Sequence, residues 1–262
     1  MKITEIKCKT ALSKSNLPGL DYSLNPYRGC QHTCAYCYVP NVMRIKRSNW
    51  GKFVDVKTNI PNVLSNELRR KKPGVVAIST VTDPYQPVEK KYKLTRYCLE
   101  QLLNHDFPVS IQTKSNLIIR DLDLISKFSE IEIMLSIGTL NDNERKQLEP
   151  YTSSISERFE VLKKFSEIGI NTGVFFGPIY PTVTNENLCF LIDKFEKFGI
   201  TEIMVDRFNL KPGIRESVIS AISTNPFFLN KFSNNLQENY NSIRQKLDEL
   251  SKNRNIKVVD AF

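Results

Sequence analysis

The chain runs to 262 residues, 40% hydrophobic and 25% charged, the ordinary balance of a soluble globular protein long enough for one large α/β domain with a full core. It holds no run of 18 apolar residues, and its start, Met1-Lys2-Ile3-Thr4-Glu5, lacks the apolar stretch and cleavage site of a secretory signal; no membrane span or membrane partner is expected, and the expected compartment is the reducing cytoplasm. The net charge of +9 invites a nucleic-acid partner, although the basic residues are scattered (Arg44, Lys46, Arg47; Arg69 to Lys72; Lys90, Lys91, Lys93, Arg96), as they are on a merely solvated surface.

Residues 1–20 read as an irregular leading segment, with Pro18-Gly19 as a turn and Cys8 isolated among lysines. Residues 21–25 suit a short strand that Pro26 ends. A loop with three of the six cysteines follows, and residues 40–51, polar and basic with the only Trp at 50, are expected to be partly exposed. From there helix and strand signals alternate. Pro61 near a first turn, with Val63, Leu64 and Leu68 on one face, predicts a helix. Residues 75–80 are the continuous apolar run of a buried parallel strand. Leu94, Cys98 and Leu102 recur at helical spacing, which turns Cys98 inward as a small hydrophobe.

Further strands are expected at 109–113 and 131–137, with a helix marked by Leu122, Ile125 and Phe128 between them. Residues 138–152 read as a longer polar connection. Ser154 caps a helix carrying Ile155, Phe159 and Leu162 that Gly169 closes. Thr184 caps another carrying Leu188, Leu191, Ile192 and Phe195 that Gly199 closes, and Cys189, beside its stripe, is assigned to the core. Strands at 171–176 and 201–205 flank that second helix. In the helical tail Leu236, Tyr240, Ile243 and Leu247 have amphipathic spacing, and residues 256–259 suit a closing strand.

Six strands from consecutive βα units predict an α/β fold: a curved open sheet, or partial (β/α)6 TIM-type barrel, with helices outside and the active face at the strands' C-terminal ends. No linker divides the chain. The expected organisation is a core over residues 1–209 and a mainly helical C-terminal extension over 210–262 packed on it.

The chemistry concentrates in Asn25-Pro26-Tyr27-Arg28-Gly29-Cys30-Gln31-His32-Thr33-Cys34-Ala35-Tyr36-Cys37-Tyr38. Cys30, Cys34 and Cys37 are spaced C-x3-C-x2-C, too many to pair with one another as disulfides but able to converge on one metal centre, since thiolate is the soft ligand of zinc and iron–sulfur clusters. Zinc completed by His32 is one reading, though two-residue separation places His32 and Cys34 awkwardly for one tetrahedron. A disulfide with a spare thiol is a second. A [4Fe–4S] cubane on three cysteines, which leaves one iron open for chemistry, is the third.

The last spacing, with an aromatic just before the final cysteine, resembles the signature of the radical S-adenosylmethionine (SAM) enzymes. Asn-Pro-Tyr-Arg-Gly-Cys…Cys-Ala-Tyr-Cys-Tyr is similar to the branch containing spore photoproduct lyase, and the order of elements over residues 21–209 suits that family's barrel. The resemblance implies a [4Fe–4S] cluster on Cys30, Cys34 and Cys37, whose open iron chelates SAM and whose electron cleaves it to a 5′-deoxyadenosyl radical. It implies Tyr36 against the adenine, Thr82 and Ser136 toward the ribose or methionine end, Lys114 facing the SAM carboxylate, and Phe175 lending backbone to the adenine edge. Each has a plainer reading: a strand-end Thr or Ser often satisfies local backbone, and an isolated Lys usually points to water. Asp83, Arg120-Asp121, Asp206 and Arg207 also fall at strand ends or helix starts.

By the same resemblance the substrate is a nucleic acid, and an external donor of flavodoxin or ferredoxin type supplies the electron. The rivals are a cluster- or zinc-bearing nucleic-acid-binding protein without radical chemistry, and a radical enzyme acting on a peptide or small metabolite. One departure stands out. Spore photoproduct lyases themselves use a cysteine at the end of the second strand to return a hydrogen atom to the product radical; by the resemblance the matching position here is Thr80, beside Ser79.

Overall fold

The computed structural model describes residues 1–234 and 236–261. The chain opens with five strands, β1 (Lys2–Ile6), β2 (Leu12–Lys14), β3 (Tyr22–Leu24), β4 (Tyr27–Arg28) and β5 (Phe53–Lys57). Six more alternate with helices: β6 (Val76–Ile78), β7 (Val109–Thr113), β8 (Ile131–Ser136), β9 (Asn171–Phe176), β10 (Glu202–Val205) and β11 (Lys257–Asp260).

The main sheet runs β11-β10-β9-β8-β7-β6-β3-β2. Every pair from β3 to β11 is parallel, and only the edge strand β2 runs antiparallel. The strands at 21–25, 75–80, 109–113, 131–137, 171–176 and 201–205 thus lie side by side in chain order, as an open sheet ending at β2 and β11. Their sequences explain this. Val76, Ala77 and Ile78 are all buried, as are the last four residues of β8, so these strands are covered on both faces. Each large apolar side chain so buried contributes roughly 1.5–3 kcal/mol.

The crossover helices start and stop where their caps stand. Ser154 and Thr184 each form a capping box, with Glu157 and Asn187 reaching back to the cap backbone. Gly169 and Gly199 follow these helices at φ of +78° and +70°. Cys98 is fully buried in the helix Leu94–Asn104. No helix among the described residues is long and apolar enough to cross a membrane.

Several expectations need correction. The leading segment is not irregular: β1 pairs in parallel with β5, and β5 pairs antiparallel with β4, making a small second sheet whose strands β4 and β5 flank the cysteine loop in the chain. The stretch 138–152 contains the helix Asp142–Leu148, whose N-terminus Asn141 caps with its side chain. The helix expected around Leu122 is a 3-10 turn, Asn116–Asp121, continued by one α-turn, Leu122–Ile125. Cys189 is exposed rather than core, because it sits one position off the buried stripe of Leu188, Leu191 and Ile192. The tail forms the helices Ile214–Ile222, Pro226–Ser233 and Leu236–Ser251, and then returns β11 to the sheet edge.

Candidate cluster and cofactor site

The cysteine loop leaves β4 and is gripped from every side. Gly29 has φ +85°, and a Cβ there would run into the carbonyl oxygen of Phe53 at the start of β5, so only glycine can stand before Cys30. Thr82 donates its hydroxyl to the Gly29 carbonyl at 2.7 Å, and the buried Gln86 accepts from the Gln31 amide at 2.9 Å. The Ala35 amide donates to the Leu148 carbonyl at 2.8 Å, and the Tyr36 hydroxyl donates to Glu149. Arg47 donates to the Cys37 carbonyl at 2.9 Å, and the Tyr38 hydroxyl to the Thr80 carbonyl at 2.9 Å.

Cys30 and Cys34 are buried and Cys37 is half-buried. Burial pushes all three thiols up, Cys30 to about 12, with Asp83 and Cys37 adding to the effect there. At neutral pH they keep their protons unless a metal takes their place. Among the described residues no three His, Cys, Asp or Glu side chains converge closely enough to hold a single metal ion. Three thiols in one loop are the ligand type of an iron–sulfur cluster, and Cys34 and Cys37 lie within charge range of Lys114.

His32 lies inside this loop, buried, with Nδ1 3.3 Å from the Asp83 carboxylate. Asp83 also accepts from the Thr113 hydroxyl at 2.7 Å, the Lys114 amide at 2.9 Å and the Tyr85 amide at 2.9 Å. Burial alone would raise its pKa; His32 and these donors outweigh it and hold the carboxyl down at about 2.

Lys114, just past β7, donates to the Ser136 hydroxyl at 3.2 Å. Burial opposes its charge, but Cys34, Glu149 and Asp83 more than compensate and raise its pKa. Phe175 pairs with Ser136 in the sheet register, and its carbonyl accepts from the Ile137 amide at 2.9 Å. Thr82 faces the loop: its proton goes to Gly29 and one lone pair to Gln86 at 2.9 Å, leaving one acceptor position. Tyr36 meets Phe208 and Tyr180 edge-on at centroid distances of 6.0 and 6.5 Å. Arg120 and Asp121 pair with each other and with Glu89 and Arg96, away from this group. Arg207 donates to Gln237, and Asp206 accepts from the Arg207 amide.

Glu149 and Arg158 escaped the sequence reading. Both are buried and paired beneath Tyr36. A Glu after a polar helix and an Arg within an amphipathic one read as solvated charges, and no spacing signals that they meet.

The radical SAM superfamily profile matches residues 24–195. An uncharacterised protein of Methanocaldococcus jannaschii is 38% identical over 182 residues, 69% of either chain. The chain belongs to the radical SAM superfamily. It is therefore an enzyme of that family, with an exact reaction that the family alone does not specify. A radical SAM Nα-GlyT isomerase of Pseudomonas phage M6 is 24% identical over 183 residues, 69% of this chain and 38% of that one. In three dimensions a spore photoproduct lyase variant with dinucleoside spore photoproduct superposes with a TM-score of 0.74 at 13% identity, covering 99% of this chain and 81% of the lyase, a likeness of fold.

Proposed function

We propose that this chain binds one [4Fe–4S] cluster through Cys30, Cys34 and Cys37, binds SAM beside it, and uses the pair to abstract a hydrogen atom from a nucleic-acid substrate. When bound and reduced, the cluster supplies the electron that cleaves SAM to a 5′-deoxyadenosyl radical. The observation that carries this reading is three thiols in one loop, two of them within charge range of Lys114, which pairs with Ser136 at the ends of β7 and β8.

The chain's own residues then divide the work. Lys114 stays charged at neutral pH and pairs with the SAM carboxylate; Ser136 orients its ammonium and offers a hydroxyl to SAM. Tyr36 presents its ring to the adenine, with Phe175 backbone at the adenine edge. Thr82 uses its one open acceptor position while holding Gly29. Residues 1–209 form the radical core, and the extension over 210–262 packs Phe228 and Phe232 against Tyr180 and Phe208. A reducing cytoplasm and a small electron carrier of flavodoxin or ferredoxin type suit this chemistry.

Nucleic acid is the favoured substrate class because charge and aromatic surface coincide at the loop. Tyr38 is 42% exposed beside Cys37, and the Lys211 ammonium lies 6.0 Å from its ring centroid. A base stacks on such a ring while the cation meets its phosphate. The spore photoproduct lyase variant of similar fold holds a dinucleoside, a ligand of that class. The test is anaerobic reconstitution followed by dithionite reduction with SAM. Release of 5′-deoxyadenosine is expected; protein that binds polyanions tightly but releases none overturns the radical reading.

A further inference from the structure

Between Cys34 and Cys37 the loop makes two contacts with a single short segment. The Ala35 amide donates to Leu148, and the Tyr36 hydroxyl donates to Glu149 Oε1, the next residue along. Glu149 is 2% exposed, a costly place for a carboxylate unless it is fully paired. Its other oxygen accepts from Arg158, which is wholly buried, and from Thr152 at 3.2 Å. Arg158 in turn donates to the Ser136 carbonyl at 2.6 Å and the Ser153 carbonyl at 3.1 Å. Arg145 fastens the Glu149 carbonyl at 3.0 Å.

One carboxylate thus spans the cofactor site. One side holds the aromatic residue of the cysteine loop, and the other is tied through Arg158 to the end of β8, where Ser136 receives Lys114. A structural ion pair needs no hydroxyl from the loop, and a loop tyrosine needs no buried anion in place of water. Their union makes sense if the ring must be held at a fixed angle. We propose that Glu149 is a positioning residue: it sets the Tyr36 ring and the Cys34–Cys37 segment relative to the Lys114–Ser136 pair, and so fixes the distance between the cluster and the SAM subsite. This rests on the SAM reading above for its consequence, but the bracket itself is a property of the loop.

The test uses full-length, anaerobically reconstituted protein with Tyr36→Phe, Glu149→Gln and the double variant. Two readouts are taken: amide hydrogen exchange of peptides covering residues 30–38, and SAM affinity by calorimetry without reductant. Both single variants should speed exchange in the loop while peptides from β7 and β8 stay unchanged. Each should weaken SAM about ten-fold, the scale of one hydrogen bond to a charged group, and the double variant should be no worse than Glu149→Gln. Unchanged loop exchange in Tyr36→Phe overturns the proposal, as do additive effects on SAM affinity. If Glu149→Gln fails to fold, Tyr36→Phe alone decides, because it removes one oxygen and leaves the Arg158 pair intact. If loop exchange responds as expected but the parent itself binds no SAM, the bracket stands and the SAM reading falls.

Discussion

The Tyr38 hydroxyl donates a 2.9 Å hydrogen bond to the backbone carbonyl of Thr80, joining the residue after the last loop cysteine to the turn just past β6. By the sequence resemblance, Thr80 matches the place where spore photoproduct lyases carry a hydrogen-donating cysteine. Its own hydroxyl takes a 3.3 Å contact from Asn25. An alcohol O–H is too strong to give its hydrogen readily to a carbon radical, and Cys98, wholly buried on the next helix, offers no replacement. Incubated anaerobically with dinucleotide spore photoproduct, SAM and reductant, the protein should fail to return intact thymines over many turnovers. Efficient multiple turnover would show that Thr80 does not block this chemistry.

Iron and sulfide content should report one cubane, about four of each per chain after reconstitution. Cys30→Ala, Cys34→Ala and Cys37→Ala should each lose the cluster's absorbance. Cys98→Ala and Cys189→Ala should keep it; the first leaves a small cavity in the core and costs on the order of 1 kcal/mol, and the second, at the surface, costs almost nothing. One zinc without sulfide in anaerobically purified protein would contradict the cluster.

Lys114→Ala should leave iron content unchanged and weaken SAM roughly ten- to a hundred-fold, the range of a hydrogen bond to a charged partner. Calorimetry on the unreduced protein checks this without recourse to turnover. Equal affinity in the variant would take Lys114 out of the site.

The metal-free, reduced protein should lose stability as the solution turns alkaline. Cys30 is held near 12 when folded against 9.0 for an unperturbed thiol, and Cys34 and Cys37 are raised as well. The folded state therefore keeps protons that the unfolded state releases. This contribution is complete below pH 9, fades through the interval up to about 12, and makes stability fall as pH rises. Urea midpoints measured at about pH 8 and about pH 10 should drop more for the parent than for the triple cysteine-to-alanine variant. Equal drops would place the alkaline sensitivity elsewhere.

If the +9 charge serves nucleic acid, affinity for a short single strand should fall steeply with salt, by about 0.7 log units per log of salt for each phosphate neutralised. A flat response, or no binding at low salt, would favour a small substrate.

The βα rhythm was legible because buried parallel strands and one-sided helices write their periods directly, and Ser154, Thr184, Gly169 and Gly199 mark the helix ends. The small sheet was hidden because β1 is largely exposed, so its apolar residues form no buried stripe, while in β5 only Val54 and Val56 are buried. The helix Asp142–Leu148 was hidden because six of its seven residues are polar or charged. At the site, three cysteines declared themselves by spacing. Glu149 and Arg158 did not, since what makes each of them tolerable in the interior is the other, and partnership across nine positions leaves no mark in a residue pattern.

The contact between Tyr36 and Glu149 spans 113 residues of chain. Ribosomes add about 5–20 residues each second, so the three thiols emerge on the order of ten seconds before the segment that fastens their loop has been made. During that interval the loop's contacts to Arg47, Thr80, Thr82 and Gln86 can form, but the Cys34–Cys37 segment lacks its tie to Glu149. The cluster proposed on these thiols would meet a fully fastened loop only if it were loaded after that segment is made.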